Sequence, residues 1–377
     1  MRRFFRIVLI CTIAVGMAAG VFVYGTAAGK QLRMTAAETI LSTQHREWAF
    51  HLQPILNISH EELNASLEAI RNPPYINSAE LPVVAPLPST PPAKPGMTVP
   101  GHERGPRTDA TPEEEAQEKG WPEPGDDLTV KVTTVRKHYN PTYYYVGKVM
   151  EISNPYNVKI INSSLEDHGE QIFVIAKRAG AIGAINASGF VDPEGKGNGG
   201  TATGIVIADG EITNTPGGND ERTYVAGLTD EAKLVTGFYS ANELLQLGVV
   251  SAAGFKPQLI SNGKKMVRGD GGWGIGPRTA IGQKEDGTIL FLVIDGRQTH
   301  SIGATIEEVQ NILYDMGAVN AMAMDGGSSS SMWFNGENIT TPSSLRNIPR
   351  YLPNIWAVVP DEGQKVTIIE EEEAADL

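Results

Sequence analysis

Two short stretches carry residue types that suit hydrolytic chemistry. Asp295-Gly296 follows the apolar run Thr288 to Ile294, and Asp325-Gly326-Gly327 follows Val319 to Met324. A carboxylate at a strand end can serve as base, nucleophile or stabiliser of a developing cation. Ser328, Ser329, Ser330 and Ser331 come next. Such a Gly/Ser loop offers backbone N–H groups and hydroxyls without bulk, which suits an oxyanion. Between the runs, Thr305-Ile306-Glu307-Glu308 has capping-box spacing and opens a helix that Gly317 stops. A strand–helix–strand unit of this length is parallel with a right-handed crossover. Both aspartates then come to the carboxyl ends of strands, where open sheets bind ligands. Asp286-Gly287 reads as a two-residue hairpin turn, which sets Arg278 opposite Asp295 on one face. Singly, an Arg–Asp pair is often only an ion pair and Asp-Gly only a turn. Together with the Gly/Ser loop, the three point to a site. A divalent cation held by the two aspartates is an alternative, and no metal is assigned.

Other signals are weaker. Gly195-Lys196-Gly197 and Gly271-Gly272-Trp273-Gly274 fit neither phosphate-loop nor Rossmann spacing. His300 is an acid/base candidate, though a lone loop histidine is more often incidental. Trp273, Trp333 and Phe334 suit sugar stacking as well as packing.

The elements that must position these residues lie in 127–360, long enough for one substantial core. Leu128 to Val135 alternates apolar and polar, and Tyr143 to Ile152 is rich in β formers. Gln171 to Ala176, Ala181 to Ile185 and Gly204 to Ala208 read as further strands. Asp209-Gly210 and Asn262-Gly263 are hairpin turns, and Ser240-Ala241-Asn242-Glu243 opens a second helix. The fold class is α+β, a mixed β-sheet domain with few helices. It follows an N-terminal transmembrane helix, a helical stalk and a disordered linker.

Residues 7–29 form an uncharged apolar run after three arginines, long enough to span a hydrocarbon core of about 30 Å. The arginines favour a cytoplasmic N-terminus and an extracytoplasmic domain on a cell membrane; a cleaved signal and a secreted protein are the alternative. Residues 30–72 read as the stalk. Of the chain's 24 prolines, 13 fall within residues 73–124, marking 73–126 as an extended linker. Residues 361–377 read as a disordered acidic tail. One cysteine permits no intrachain disulfide, and a net charge of −13 argues against nucleic acid as a partner.

From Val146 to Val359 the chain resembles the phosphodiester glycosidase family. The resemblance rests on Ala184-Ile185-Asn186-Ala187-Ser188-Gly189-Phe190, Pro277-Arg278-Thr279-Ala280-Ile281-Gly282, Asp295-Gly296-Arg297 and Met324-Asp325-Gly326-Gly327-Ser328-Ser329-Ser330. Many members have Asn-Gly-Gly-Phe where this chain has Asn186-Ala187-Ser188-Gly189-Phe190. The resemblance implies cleavage of a sugar-1-phosphodiester, such as an α-N-acetylglucosamine-1-phosphodiester in envelope glycopolymers or exopolysaccharide. It implies catalytic roles for Asp295, Asp325 and Arg278. Asn186 would bind the sugar, and Gly326, Gly327, Ser328 and Ser329 would bind phosphate with Arg278. A phosphodiesterase cutting P–O and a non-catalytic wall-polymer binding module are the other readings.

Overall fold

The chain's computed structural model describes residues 19–41, 47–80, 121–140, 143–165, 168–192, 197–268 and 273–376. Its architecture is α+β, with three large sheets and few helices. The first sheet has eight strands, in the order Lys264–Lys265, Gln258–Ser261, Ala318–Met324, Arg278–Lys284, Ile289–Ile294, Tyr143–Ile152, Leu128–Asn140 and Val366–Asp376. One five-stranded sheet centres on Val249–Gly254, and the other on Gly183–Asn186. Strand alternation sorts the side chains into layers. Met150, Ile281, Phe291, Val293 and Met324 leave one face of the eight-stranded sheet and meet Ala226 and Leu228 of the first smaller sheet, and Ile185 and Trp356 of the second. Met150 and Phe291 are fully buried, and each such side chain contributes about 1.5–3 kcal/mol.

The opposite face is covered by the Ile306–Asp315 helix, which buries Ile306, Val309, Ile312 and Leu313 against Ala280, Leu292, Ala321 and Ala323. Its capping box uses Thr305 and Glu308, as the sequence predicts. The strands flanking this helix run parallel to each other, but Arg278–Lys284 lies between them, antiparallel to both. The crossover therefore passes over one strand, and both Asp-Gly ends still reach the same end of the sheet.

Several expectations need correction. Asp209-Gly210 and Asn262-Gly263 are two-residue turns with positive φ at both positions, but at Asp286-Gly287 only Gly287 is left-handed, with φ 90. Lys284 N–H bonds to the Thr288 carbonyl at 2.9 Å, so the loop is Glu285-Asp286-Gly287, a three-residue turn. The register slips by one, and Arg278 pairs with Ile294 rather than Asp295. Gln171 to Ala176, read as a strand, falls almost wholly in the helix Ile172–Arg178. Its buried Ile172, Ile175 and Ala176 have the spacing of one helical face against Ile355 and Ala357. The acidic C-terminus is not a disordered tail. Val366–Asp376 is a strand parallel to Leu128–Asn140, with Lys131 Nζ 2.8 Å from Glu371 Oε1. An edge strand bearing lysines gives an acidic strand both backbone partners and counter-charge.

The stalk is helical at Ala27–Leu41, Glu47–His51, Gln53–Leu56 and His60–Arg71, with Leu63 and Leu67 packed on Ala37 and Leu41. Residues 7–18 of the expected transmembrane helix lie outside the described residues. Among those described, no helix is long and apolar enough to cross a membrane. Of the expected linker, 81–120 lies outside the described residues, whereas 73–79 is seated on the domain. There Tyr75 stacks on Phe238 at 5.0 Å, and Gln258 grips both the N–H and the carbonyl of Ile76, at 2.9 and 2.8 Å.

Candidate active site

The pairing of the Arg278–Lys284 strand decides which side chains share the sheet end. Thr279 faces Met324, so one step further along the ladder Arg278 stands opposite Asp325. Both line a cleft of about 980 Å³, as does Ile306 at the start of the covering helix. Arg278 is buried; its Nε donates to the Ala304 carbonyl at 3.0 Å and its Nη2 to that of Trp273 at 2.9 Å. Those carbonyls fix the guanidinium where the helix begins.

Asp325 is held from behind. Its N–H donates to the Ala187 carbonyl at 3.0 Å, and its own carbonyl accepts from Asn186 Nδ2 at 2.6 Å. Asn186 Oδ1 accepts from the Thr279 hydroxyl at 2.8 Å and from Ser331 N–H at 3.1 Å. Asn186 is fully buried with both ends of its amide engaged, so it positions the Asp325 turn instead of facing a sugar.

Gly326 and Gly327 follow, flanked by guanidinium groups. A Cβ at Gly326 would lie 3.9 Å from Arg278 Nη1, and one at Gly327 3.6 Å from Arg297 Nη1. Gly327 also has φ +63, a conformation that side chains disfavour. Ser328 and Ser329 line the cleft with them. The expected cradle of N–H groups is partly closed, because Gly327 N–H bonds to the Pro277 carbonyl at 3.0 Å and Ser329 N–H to that of Gly326 at 3.3 Å. The short 3-10 turn at Gly327–Ser329 takes up the Ser329 donor, and the strand entry at Pro277 takes up that of Gly327.

Asp295 does not join this group. The register slip turns it away from Arg278, and it does not line the cleft. Its Oδ1 accepts from Thr341 N–H at 2.9 Å, and its Oδ2 lies 2.9 Å from His300 Nε2. Together with the Ser301 hydroxyl, at 2.6 Å from the Asp295 carbonyl, these contacts close the 295–302 loop. That loop presents Arg297 to the cleft in a left-handed conformation, φ 56.

The two carboxyls differ electrostatically. Lost hydration pushes Asp325 up to about 6, against the opposing pull of Ser329, Arg350 and the Gly326 N–H. Burial also raises Asp295, with His300 and Thr341 pulling the other way. Facing different sides, the pair does not form the shared cation site considered from sequence. Among the described residues, no three His, Cys, Asp or Glu side chains group as metal ligands.

Sequence reasoning missed Arg297, Arg350 and Lys256, all of which line the cleft. Arg297 directly follows Asp295-Gly296, so its motif was in view. Arg350 carries no local signal: Asp192 Oδ2 at 2.7 Å and the Phe190 ring at 4.9 Å hold it in place from 158 residues away or more.

Guanidinium groups on both sides of a carboxylate-bearing glycine turn suit a phosphate ester. Residues 179–359, which contain Asn186 and every side chain just described, match the family described as phosphodiester glycosidase. That match takes in 181 of the chain's 377 residues, just under half. Over 185 residues it is 29% identical to the SPbeta prophage-derived uncharacterized protein YomE of Bacillus subtilis, covering 46% of this chain and 27% of that one. Over 164 residues it is 28% identical to human N-acetylglucosamine-1-phosphodiester alpha-N-acetylglucosaminidase, covering 39% and 31%. The matched part thus spans less than a third of these curated relatives. The zebrafish N-acetylglucosamine-1-phosphodiester alpha-N-acetylglucosaminidase catalytic domain shares the fold, with TM-score 0.53 and 22% identity over 62% of this chain and 84% of that domain. The matched region therefore holds every cleft-lining residue named above, and none of the stalk.

Proposed function

We propose that the chain is an exported hydrolase that cleaves a sugar-1-phosphodiester in cell-envelope glycopolymers, with α-N-acetylglucosamine-1-phosphodiester as the first substrate to try. The observation that carries this is Arg278 opposite Asp325, with Arg297 across the Gly326-Gly327 turn. The reaction releases the sugar and a phosphate monoester. A phosphate is a good leaving group, so a strong general acid is not needed, and one carboxylate can replace the usual two. Among the described lining residues Asp325 is the one carboxylate. Ionised above about pH 6, it serves as base or nucleophile at the anomeric carbon. Arg278 and Arg297 stabilise charge gathering on the departing phosphate. In this proposal the apolar 7–29 segment anchors the chain with the cleft outside the membrane.

The test is turnover of the methyl diester of α-N-acetylglucosamine-1-phosphate by the full chain in ¹⁸O-water. The label should appear in N-acetylglucosamine. Label in phosphate would mean P–O cleavage, and no turnover of any sugar-1-phosphodiester would leave a binding module.

A further inference from the structure

A second pocket, of about 390 Å³, lies between the Ile172–Arg178 helix and the hairpin formed by Met332–Phe334 and Glu337–Asn338. Its lining includes Phe173, Lys177, Trp333, Asn338, Asn347 and Pro349. Trp333 and Asn338 are cross-strand partners, so they present to the same face. Each holds a buried polar atom with no hydrogen-bond partner: the indole N–H of Trp333, which is only 4% exposed, and Oδ1 of Asn338. Buried indole N–H groups and amide oxygens normally find partners, so an unpaired donor and an unpaired acceptor on one cross-strand pair are unusual.

We propose that this pocket is a subsite for a neutral saccharide unit. A sugar hydroxyl both donates and accepts, so one hydroxyl, or two neighbouring ones, can satisfy the Trp333 N–H and the Asn338 oxygen together. Phe173, half-buried and packed on the cluster that holds Trp333, supplies the apolar surface that a ring's C–H face needs. Thr340 and Thr341 add hydroxyls at the wall. Among the described residues no carboxylate lines the pocket, and Lys177 is the one charged side chain there. The volume lies within the range of ordinary ligand sites.

Position links the pocket to the cleft. Pro349 lines both, Asn347 lines the pocket, and Ile348 and Arg350 line the cleft. The stretch from Asn347 to Arg350 is a shared wall. A polymer crossing it can place its phosphodiester at Asp325 and a further sugar against Trp333. That the sugar belongs to the substrate rests on the proposed function; that the pocket binds sugar does not.

The test uses the full chain carrying Asp325→Asn, titrated with neutral oligosaccharides (chitotetraose, maltotetraose and mannotetraose) and followed by saturation-transfer NMR and tryptophan fluorescence. At least one should bind at millimolar concentration or below. Asn338→Ala should weaken that binding by about tenfold or more, and Lys177→Ala, on the exposed face of the helix, by a smaller factor. In the otherwise unaltered chain, Asn338→Ala should leave turnover of the small methyl phosphodiester within about twofold. Absence of binding by all three oligosaccharides, or binding unaffected by both substitutions in folded protein, would overturn the proposal. Oligosaccharide binding without phosphodiester turnover would sink the proposed function and leave this subsite standing.

Discussion

Asp295-Gly296 and Asp325-Gly326 begin alike. Each ends an apolar strand, both strands are parallel, and both ends reach the same edge of one sheet. Their surroundings make them different tools. Asp325 opens onto a cleft opposite a guanidinium and is pushed up to about 6. Asp295 is enclosed, with one oxygen on a backbone N–H and the other on His300. A strand-end aspartate thus faces a cleft or closes a loop according to which face its neighbouring strand turns toward it.

The sharpest way to break this comparison is to remove each charge in turn. Asp325→Asn should lower turnover by about 10²-fold or more while the protein stays folded. Asp295→Asn should lower the melting temperature and leave the folded fraction within about tenfold of normal turnover. Reversed outcomes would return catalysis to Asp295.

Titration sharpens the contrast next. An aspartate of ordinary value 3.8 that rises to about 6 on folding binds more protons when folded between those values, so its burial costs stability as pH rises through that window. Asp325→Asn should therefore raise the melting temperature above about pH 6, and the gain should vanish below about pH 4. Turnover by the unaltered chain should fall as pH drops through about 6. Melting curves and rates across pH 4 to 8 measure both.

The smallest effect concerns the turn that separates the two roles. Gly287→Ala puts a side chain at φ +90, with its Cβ 3.1 Å from Pro122 Cδ. It should cost about 1 kcal/mol in denaturant unfolding, with turnover barely changed.

That turn also marks where the sequence stopped being legible. Asp-Gly serves a two-residue turn and, with the residue before it, a three-residue one, because both need left-handed glycine. Elsewhere alternation arbitrates, but Ile289–Ile294 is buried on both faces, so either register looks equally good. The pairing of Arg278 with Asp325 depends on strand order, which a hairpin signal does not carry. Capped helices, local turns and the parallel crossover were legible because a few neighbouring residues determine them. The Ile172–Arg178 helix was not, since its β-branched run resembles a strand until the packing of one face is known. Arg350 and the Asn186 lock join segments far apart in the chain, and no local spacing marks them.

The seating of 73–79 changes what a cut in the chain would mean. Ala79 and Trp121 line one pocket, so the described residues on either side of 81–120 meet at the same place on the domain. Tyr75, Ile76, Asn77 and Ser78 contact it through ring stacking and hydrogen bonds to Gln258, Phe238 and Thr236. Breaking the backbone within 81–120 removes none of these contacts. The nicked protein should behave as a two-piece complex, with the front piece serving as a plug that keeps its socket filled. The piece that begins after the nick would by itself expose the bare flank of the Leu234–Tyr239 strand, an edge ready to pair with any extended peptide.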